Sequence, residues 1–478
     1  MIEFEKMDYW ELRKAVSRLV PRRAMIPGRD FNRNKEKGRK SNYFQYDILA
    51  NNMKKTTGAM LDENRLTVVN VSFRAQSCPM PFNMDVWDGM CCPYACRYCY
   101  ADNLRSTLFP SFYDNGREVG IRHCAEAHWK AELDRLFVMR GEKVHKRGSA
   151  VHNSARLGIP LRFGIQFEDF TELELQHGVS LSMLRYLSKA KYPVMVNTKS
   201  DILGNDDYAE ALASNKGGAA VHVTLITSNE ALLKKIEPGA PTFASRMRSV
   251  KALVDAGVRV VGRIEPWMIF NNDVKEDVEE YVQAMKRAGV KHLTLDSYSY
   301  SAYNPGIRDN FHEVGIDFDR MFLLSADSQW LSSLLLGKFM KYLQGKGFKC
   351  STFDQGNVPD NDDWICCSVG DYFLEKGAGM NWGCGTIAVK LIQGRGSYGT
   401  TWGLFDEYVR QKGGWLSDGL KTEVKKIWNG EGDMAWPLFH ARGLVPMGSD
   451  ADGLIWTFNP DEDFRMDNLR GGLIDAVA

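Results

Sequence analysis

Short β-branched runs separated by helix-length segments fill the middle of the chain, and this alternation limits the fold more than any other feature. RLTVVNVSF, LRFGIQF, PVMVNTKS, AAVHVTLIT, VRVVGRIEP and KHLTLDSYSY are short and rich in Val, Ile, Leu and Thr, as strands buried in a parallel sheet are. Between them, SLSMLRYLSKAK, APTFASRMRSVKALVDAG and VKEDVEEYVQAMKRAG read as helices. The last two close at Gly257 and Gly289, where a residue free to take positive φ ends a helix well. The alternation predicts an α/β fold, an open or closed parallel barrel whose site lies at the C-terminal ends of the strands. It stops after the helical SQWLSSLLLGKFMKYLQGKG and the strand-like FKCSTF. Three units are expected: an N-terminal basic arm over 1–65, a barrel over 66–355, and a C-terminal cap over 356–478 that is rich in Gly, Trp and Asp.

Charge argues for a local rather than a global partner. Over 478 residues the formal net charge is +1 and charged residues make up 25%, so nothing draws the whole chain to nucleic acid or to a membrane. Lys and Arg are nonetheless frequent from Arg13 to Lys55, where the acids are only Asp30, Glu36 and Asp47. This stretch is a basic arm whose centre, RRAMIPGRDFNRNKEKGRKSNYF, reads as a loop able to dock on phosphate. No segment approaches the roughly 20 apolar residues that span a bilayer, and MIEFEKMDYW has neither the charged nor the apolar region of a secretory signal. A cytoplasmic protein with no membrane partner is predicted. In that reducing compartment clustered cysteines read as metal ligands before disulfides.

The run CCPYACRYCYADN sets Cys92, Cys96 and Cys99 on one compact loop with Cys-x3-Cys-x2-Cys spacing. Three thiolates are the informative number. Four would complete a [4Fe–4S] cluster, whereas three leave one iron open to a small molecule. S-adenosylmethionine can take that position through its amino and carboxylate groups and be cleaved reductively to a 5′-deoxyadenosyl radical. In such chemistry the protein holds, orients and shields the cofactor. A zinc site would want a fourth Cys or His at paired spacing, and none closely follows Cys99. Tyr98, just before the last cysteine, is a candidate to pack over adenine.

CPYACRYCY, the TKS at the end of PVMVNTKS, and IEPGAPTFASRMRSVKALVDAGVRVVGRIEP together resemble the radical S-adenosylmethionine superfamily, in the branch containing spore photoproduct lyase. The resemblance covers about residues 80–310. It implies a partial (β/α)6-type, TIM-like radical SAM barrel with Cys92, Cys96 and Cys99 as cluster ligands. It places Lys199, Ser200 and Thr224 near bound S-adenosylmethionine, with Arg263 and Glu265 reaching the same mouth, and it singles out Arg246. It also implies an external electron donor, flavodoxin- or ferredoxin-like. The chain departs from the branch in two places. Glu168-Asp-Phe-Thr-Glu-Leu-Glu174 stands where relatives carry Asp-Pro-Tyr-Gln-Pro-x-Glu. The cysteine some forty residues past the cluster that photoproduct repair uses is absent, Cys124 being the nearest.

A second group, Cys350, Cys366, Cys367 and Cys384, is a candidate auxiliary metal site for a further iron–sulfur cluster or zinc. The leading expectation is hydrogen abstraction from a DNA, RNA or nucleotide substrate, motivated by the basic arm and the resemblance. Two alternatives stand beside it: a peptide- or protein-modifying enzyme with an auxiliary cluster, and a non-enzymatic, zinc-stapled nucleic-acid-binding protein.

Overall fold

A computed structural model describes residues 4–19, 69–71, 78–84, 86–88, 92–99, 122–145, 148–165, 167–298, 311–327, 329–353, 361–363, 365–381, 388, 391–392, 399–411, 413–431 and 444–458. In chain order the strands are β1 (Val69–Val71), β2 (Phe82–Met84), β3 (Trp87–Asp88), β4 (Arg122–His123), β5 (Leu161–Phe163) and β6 (Val194–Thr198). They continue with β7 (Ala219–Thr224), β8 (Arg259–Trp267), β9 (His292–Ser297), β10 (Lys349–Ser351), β11 (Leu444–Asp450) and β12 (Gly453–Phe458). Eight of them form one sheet in the order β1-β2-β5-β6-β7-β8-β9-β10. From β2 to β10 neighbours run parallel, and β1 joins β2 antiparallel. With β1 and β10 as its ends the barrel is open. Each run read as a strand contributes to this sheet. β2 and the β3–β4 ribbon are additions, too short to show a pattern in sequence.

The helices that matter for the site are α1 (Tyr9–Leu19), α2 (Val179–Lys189), α3 (Glu230–Ile236), α4 (Phe243–Asp255), α5 (Lys275–Ala288) and α6 (Gln329–Gly345). Thr242 caps α4 by accepting from Ser245 N, and Asn229 caps α3 by accepting from Leu232 N. The expected stops hold, with Gly257 at φ 83° and Gly289 at φ 82°. Strand alternation then sorts the side chains. Leu161, Phe163, Val194, Val196, Val221, Val223, Leu293 and Leu295 point outward into one core with Met183, Leu187, Val250, Leu253 and Met285 of the helices. Arg162, Met195, Asn197, Ala220, His222, Thr224, Val261, Arg263 and Thr294 share the concave face through register pairing.

The start of the basic run is a docked helix: α1 buries Tyr9, Leu12 and Val16. Arg13 forks onto buried Asp273 at 2.9 and 3.0 Å, and the Tyr9 hydroxyl donates to the same carboxylate. The run beyond Leu19 lies outside the described residues.

The described part of the region after 356 closes the end of the barrel where the strands begin. Ile365, Val369, Phe373 and Met380 share a core with the concave-face residues Met195, Ala220 and Val261. Ser368 Oγ donates to Leu293 O at 3.0 Å, the Tyr372 hydroxyl donates to Ala219 O at 3.0 Å, and Asn381 N donates to Pro79 O at 2.7 Å. Leu293 and Ala219 sit at the beginnings of β9 and β7, so this segment is a floor. Beyond it, Trp402 stacks on Trp415 at 5.8 Å and lies edge-on to Trp428. Among the described residues no helix is long and apolar enough to cross a membrane.

Candidate functional site

The loop 92–99 closes on itself by two turns, Ala95 N donating to Cys92 O at 3.1 Å and Cys99 N to Cys96 O at 3.0 Å. Ala95 takes φ 46° to make the reversal. The loop rests against the end of α3 and the Glu237-Pro-Gly-Ala-Pro241 turn, through Arg97 N to Ile236 O at 2.8 Å and Gly239 N to Tyr94 O at 3.2 Å. The approach at Gly239 is so close that a Cβ there would stand 2.1 Å from Pro93 O. Only glycine permits it.

Arg246 ties this turn to the sheet. Its guanidinium is fully buried and pairs with Glu237 at 2.5 Å, while donating to Pro241 O at 2.8 Å and Thr224 O at 3.0 Å. A buried pair of this kind holds because every charged atom finds a partner. Glu237 also accepts from the Tyr98 hydroxyl. Lys199 Nζ lies 5.5 Å from the centre of the Tyr98 ring, so the face expected to meet adenine already carries a cation. Thr224 contributes through its backbone carbonyl.

Lys199 follows β6, and its backbone N donates to Glu168 Oε2 at 2.8 Å while Thr198 Oγ1 donates to Glu168 Oε1 at 2.7 Å. Burial works against the charge on Lys199; Cys96, Glu237, Cys99 and Glu168 outweigh it and raise its pKa. Burial pushes the thiols of Cys92 and Cys96 up. Ser200 is buried and accepts from Ile202 N at 3.1 Å, which makes it part of the turn under Lys199. The acidic segment that departs from the resemblance is structural. Asp169 accepts from Val86 N, Trp87 N and Gly164 N. Glu174 caps α2 through Ser180 N and Leu181 N, both at 2.8 Å.

Cys92, Cys96 and Cys99 are all half-buried free thiols on this mouth. Among the described residues no three Cys, His, Asp or Glu side chains converge as a single ion requires. A cubane instead spreads its ligands over separate irons, so a loop of three spaced thiols beside a positive charge suits it better than zinc.

The second cysteine group does not assemble as expected. Cys350 pairs in register with Leu293 and joins the outer core, away from the concave face, because strand alternation turns it outward. Cys384 lies outside the described residues. Cys366 and Cys367 are together, sulfur to sulfur 3.7 Å, and Cys78, which the sequence did not suggest, neighbours them through Arg162 at 3.7 Å. The two thiols share one hydrogen bond, and with it the pKa of Cys366 is raised while that of Cys367 is lowered. Arg263 lies with this group on the concave face, paired to Glu265, which also accepts from Thr294 at 3.0 Å. Asn197 and His222 share that face, as register partners of β6 and β7. Their signal in the sequence was polarity in mid-strand, within otherwise apolar runs.

No family model matches the chain. Uncharacterized proteins of Mycobacterium bovis and Mycobacterium tuberculosis are 23% identical over 217 residues, 45% of this chain and 58% of theirs. The chain thus spans under two-thirds of the length of these curated relatives. Among solved structures, a spore photoproduct lyase mutant with bound AdoMet and dinucleoside spore photoproduct is similar at a TM-score of 0.41 and 12% identity, covering 57% of this chain and 76% of that one. Streptococcus suis SuiB bound to S-adenosylmethionine is similar at 0.32 and 14%, covering 50% and 47%.

Proposed function

We propose that the chain is a radical S-adenosylmethionine enzyme in which Cys92, Cys96 and Cys99 hold a [4Fe–4S] cluster at the barrel mouth. The observation that carries the reading is the loop itself: three free thiols at Cys-x3-Cys-x2-Cys spacing, clamped at the C-terminal ends of parallel strands beside Lys199. Bound there, the cluster and S-adenosylmethionine would supply a 5′-deoxyadenosyl radical able to take hydrogen from an unactivated C–H bond.

The chain's own residues do the positioning. Glu168 fixes the backbone at Lys199, so the ammonium is presented as a point charge to a carboxylate. Arg246 and Glu237 hold the turn that seats the loop, with no side-chain freedom left to lose. The substrate proposed is a nucleic acid or nucleotide, on the strength of the basic run from Arg13 to Lys55. The reductant is an external flavodoxin- or ferredoxin-like protein, and the setting is cytoplasmic.

The test is anaerobic reconstitution with iron and sulfide, followed by S-adenosylmethionine and dithionite. Wild type is expected to form 5′-deoxyadenosine, and Cys96→Ala to lose at least about 100-fold of it, since one missing thiolate unseats the cluster. Undiminished cleavage by that variant would overturn the reading.

A further inference from the structure

His222 and Asn197 interrupt the apolar runs of β7 and β6, and they are register partners on the concave face. They are 2% and 6% exposed, and among the described residues His222 Nε2 and Asn197 Oδ1 have no hydrogen-bond partner. An unpaired buried acceptor costs about 1–3 kcal/mol. Two side by side mark a place built to receive a donor.

The chemistry of that donor can be read from the surroundings. Asn197 Nδ2 donates to Phe163 O at 3.4 Å, which leaves its oxygen as the free acceptor. Burial and then Arg263 and Arg162 bring the His222 pKa down to about 3. A buried ring between two guanidinium groups is neutral and keeps one lone pair, which we assign to the unpartnered Nε2.

We propose that His222 Nε2 and Asn197 Oδ1 together bind the exocyclic amino group of a nucleobase. One planar amino group carries two diverging hydrogens, one for each acceptor. Arg162 of β5 and Arg263 of β8 flank the pair, and their positive charge rejects an ammonium while admitting a neutral amino group. A primary carboxamide presents the same donor, but the basic run from Arg13 to Lys55 favours a phosphate-bearing substrate over a peptide. This assignment deepens the substrate class proposed above and rests on that reading for the reaction, though binding is measured without turnover.

The experiment titrates cytidine against uridine, and guanosine against inosine, into the reconstituted protein by calorimetry. S-adenosylmethionine is kept saturating so that its own adenine site is filled. The amino-bearing member of at least one pair is expected to bind about tenfold or more tighter, because a site made for a donor rejects the analogue lacking it. His222→Phe is expected to bring that ratio to within about twofold while keeping iron content and circular dichroism. Should the variant not fold, the wild-type ratios decide alone. Equal affinities in both pairs, or no binding, overturn the assignment, as does binding of a glutamine-containing peptide with neither nucleoside. Measuring 5′-deoxyadenosine on the same sample separates the two failures. Cleavage without discrimination sinks this assignment only, and discrimination without cleavage sinks the cluster reading only.

Discussion

At the scale of single residues, Gly239 shows how little room the candidate cluster loop has. A methyl group there would meet Pro93 O at 2.1 Å and Tyr94 Cα at 2.9 Å, both backbone, so the loop itself must retreat. Gly239→Ala is accordingly expected to lower the iron retained after reconstitution to less than about half that of wild type, a displaced ligand loop being costly in a site where geometry is everything. Gly345→Ala, where an added Cβ finds nothing within 4 Å, is the matched control and should keep full iron. Iron counted per chain by colorimetric assay checks both. The three thiols stand out by their spacing, and Arg246 was singled out by the resemblance. What spacing could not show is that Arg246 and Glu237 serve the turn rather than a ligand, because burial and pairing are properties of the assembled core.

Among the elements, α1 is the one whose role ran against its charge. Its Arg13, Lys14 and Arg18 read as part of an arm, yet the apolar stripe of Leu12 and Val16 docks the helix and Asp273 receives both Tyr9 and Arg13. The partner sits some 260 residues away in sequence, which is why no local pattern reveals it. Asp273→Ala leaves Tyr9 without its acceptor and strips Arg13, which is partly exposed, of its counter-charge. The expected loss is about 1–3 kcal/mol, with faster tryptic cleavage at Arg13 and Arg18 as α1 loosens. Chemical denaturation and timed proteolysis measure the two effects; an unchanged midpoint would show that the apolar stripe alone holds the helix. The strands of the barrel other than the three-residue β2, by contrast, were legible, because burial on both faces forces largely apolar runs.

Across the whole molecule, two imidazoles on the concave side make stability depend on pH. Burial and then Arg263 hold His222 at about 3, and burial and then Arg259 hold His292, half-buried beside that arginine, at about 4. Both values lie below the unfolded histidine near 6.5. The unfolded chain therefore takes up protons first as pH falls, so stability is full above about 6.5 and declines from there toward 3–4. The slope is up to about 1.4 kcal/mol per pH unit for His222 and less for His292, which solvent partly screens. Melting temperatures from pH 7.5 to 5 should fall, and His222→Gln should flatten the fall; parallel curves would refute the assignment.

The parallel α/β sheet was foreseeable from alternation, whereas the place of the C-terminal region at the floor was not, since nothing in Gly- and Trp-rich sequence says which rim it meets. That floor orders the life of the molecule from its first minutes. Val369 and Phe373 leave the ribosome long after Met195, Ala220 and Val261, the side chains they cover, so a nascent barrel carries an uncovered apolar patch until they follow. The vessel is made first and its base is fitted afterwards.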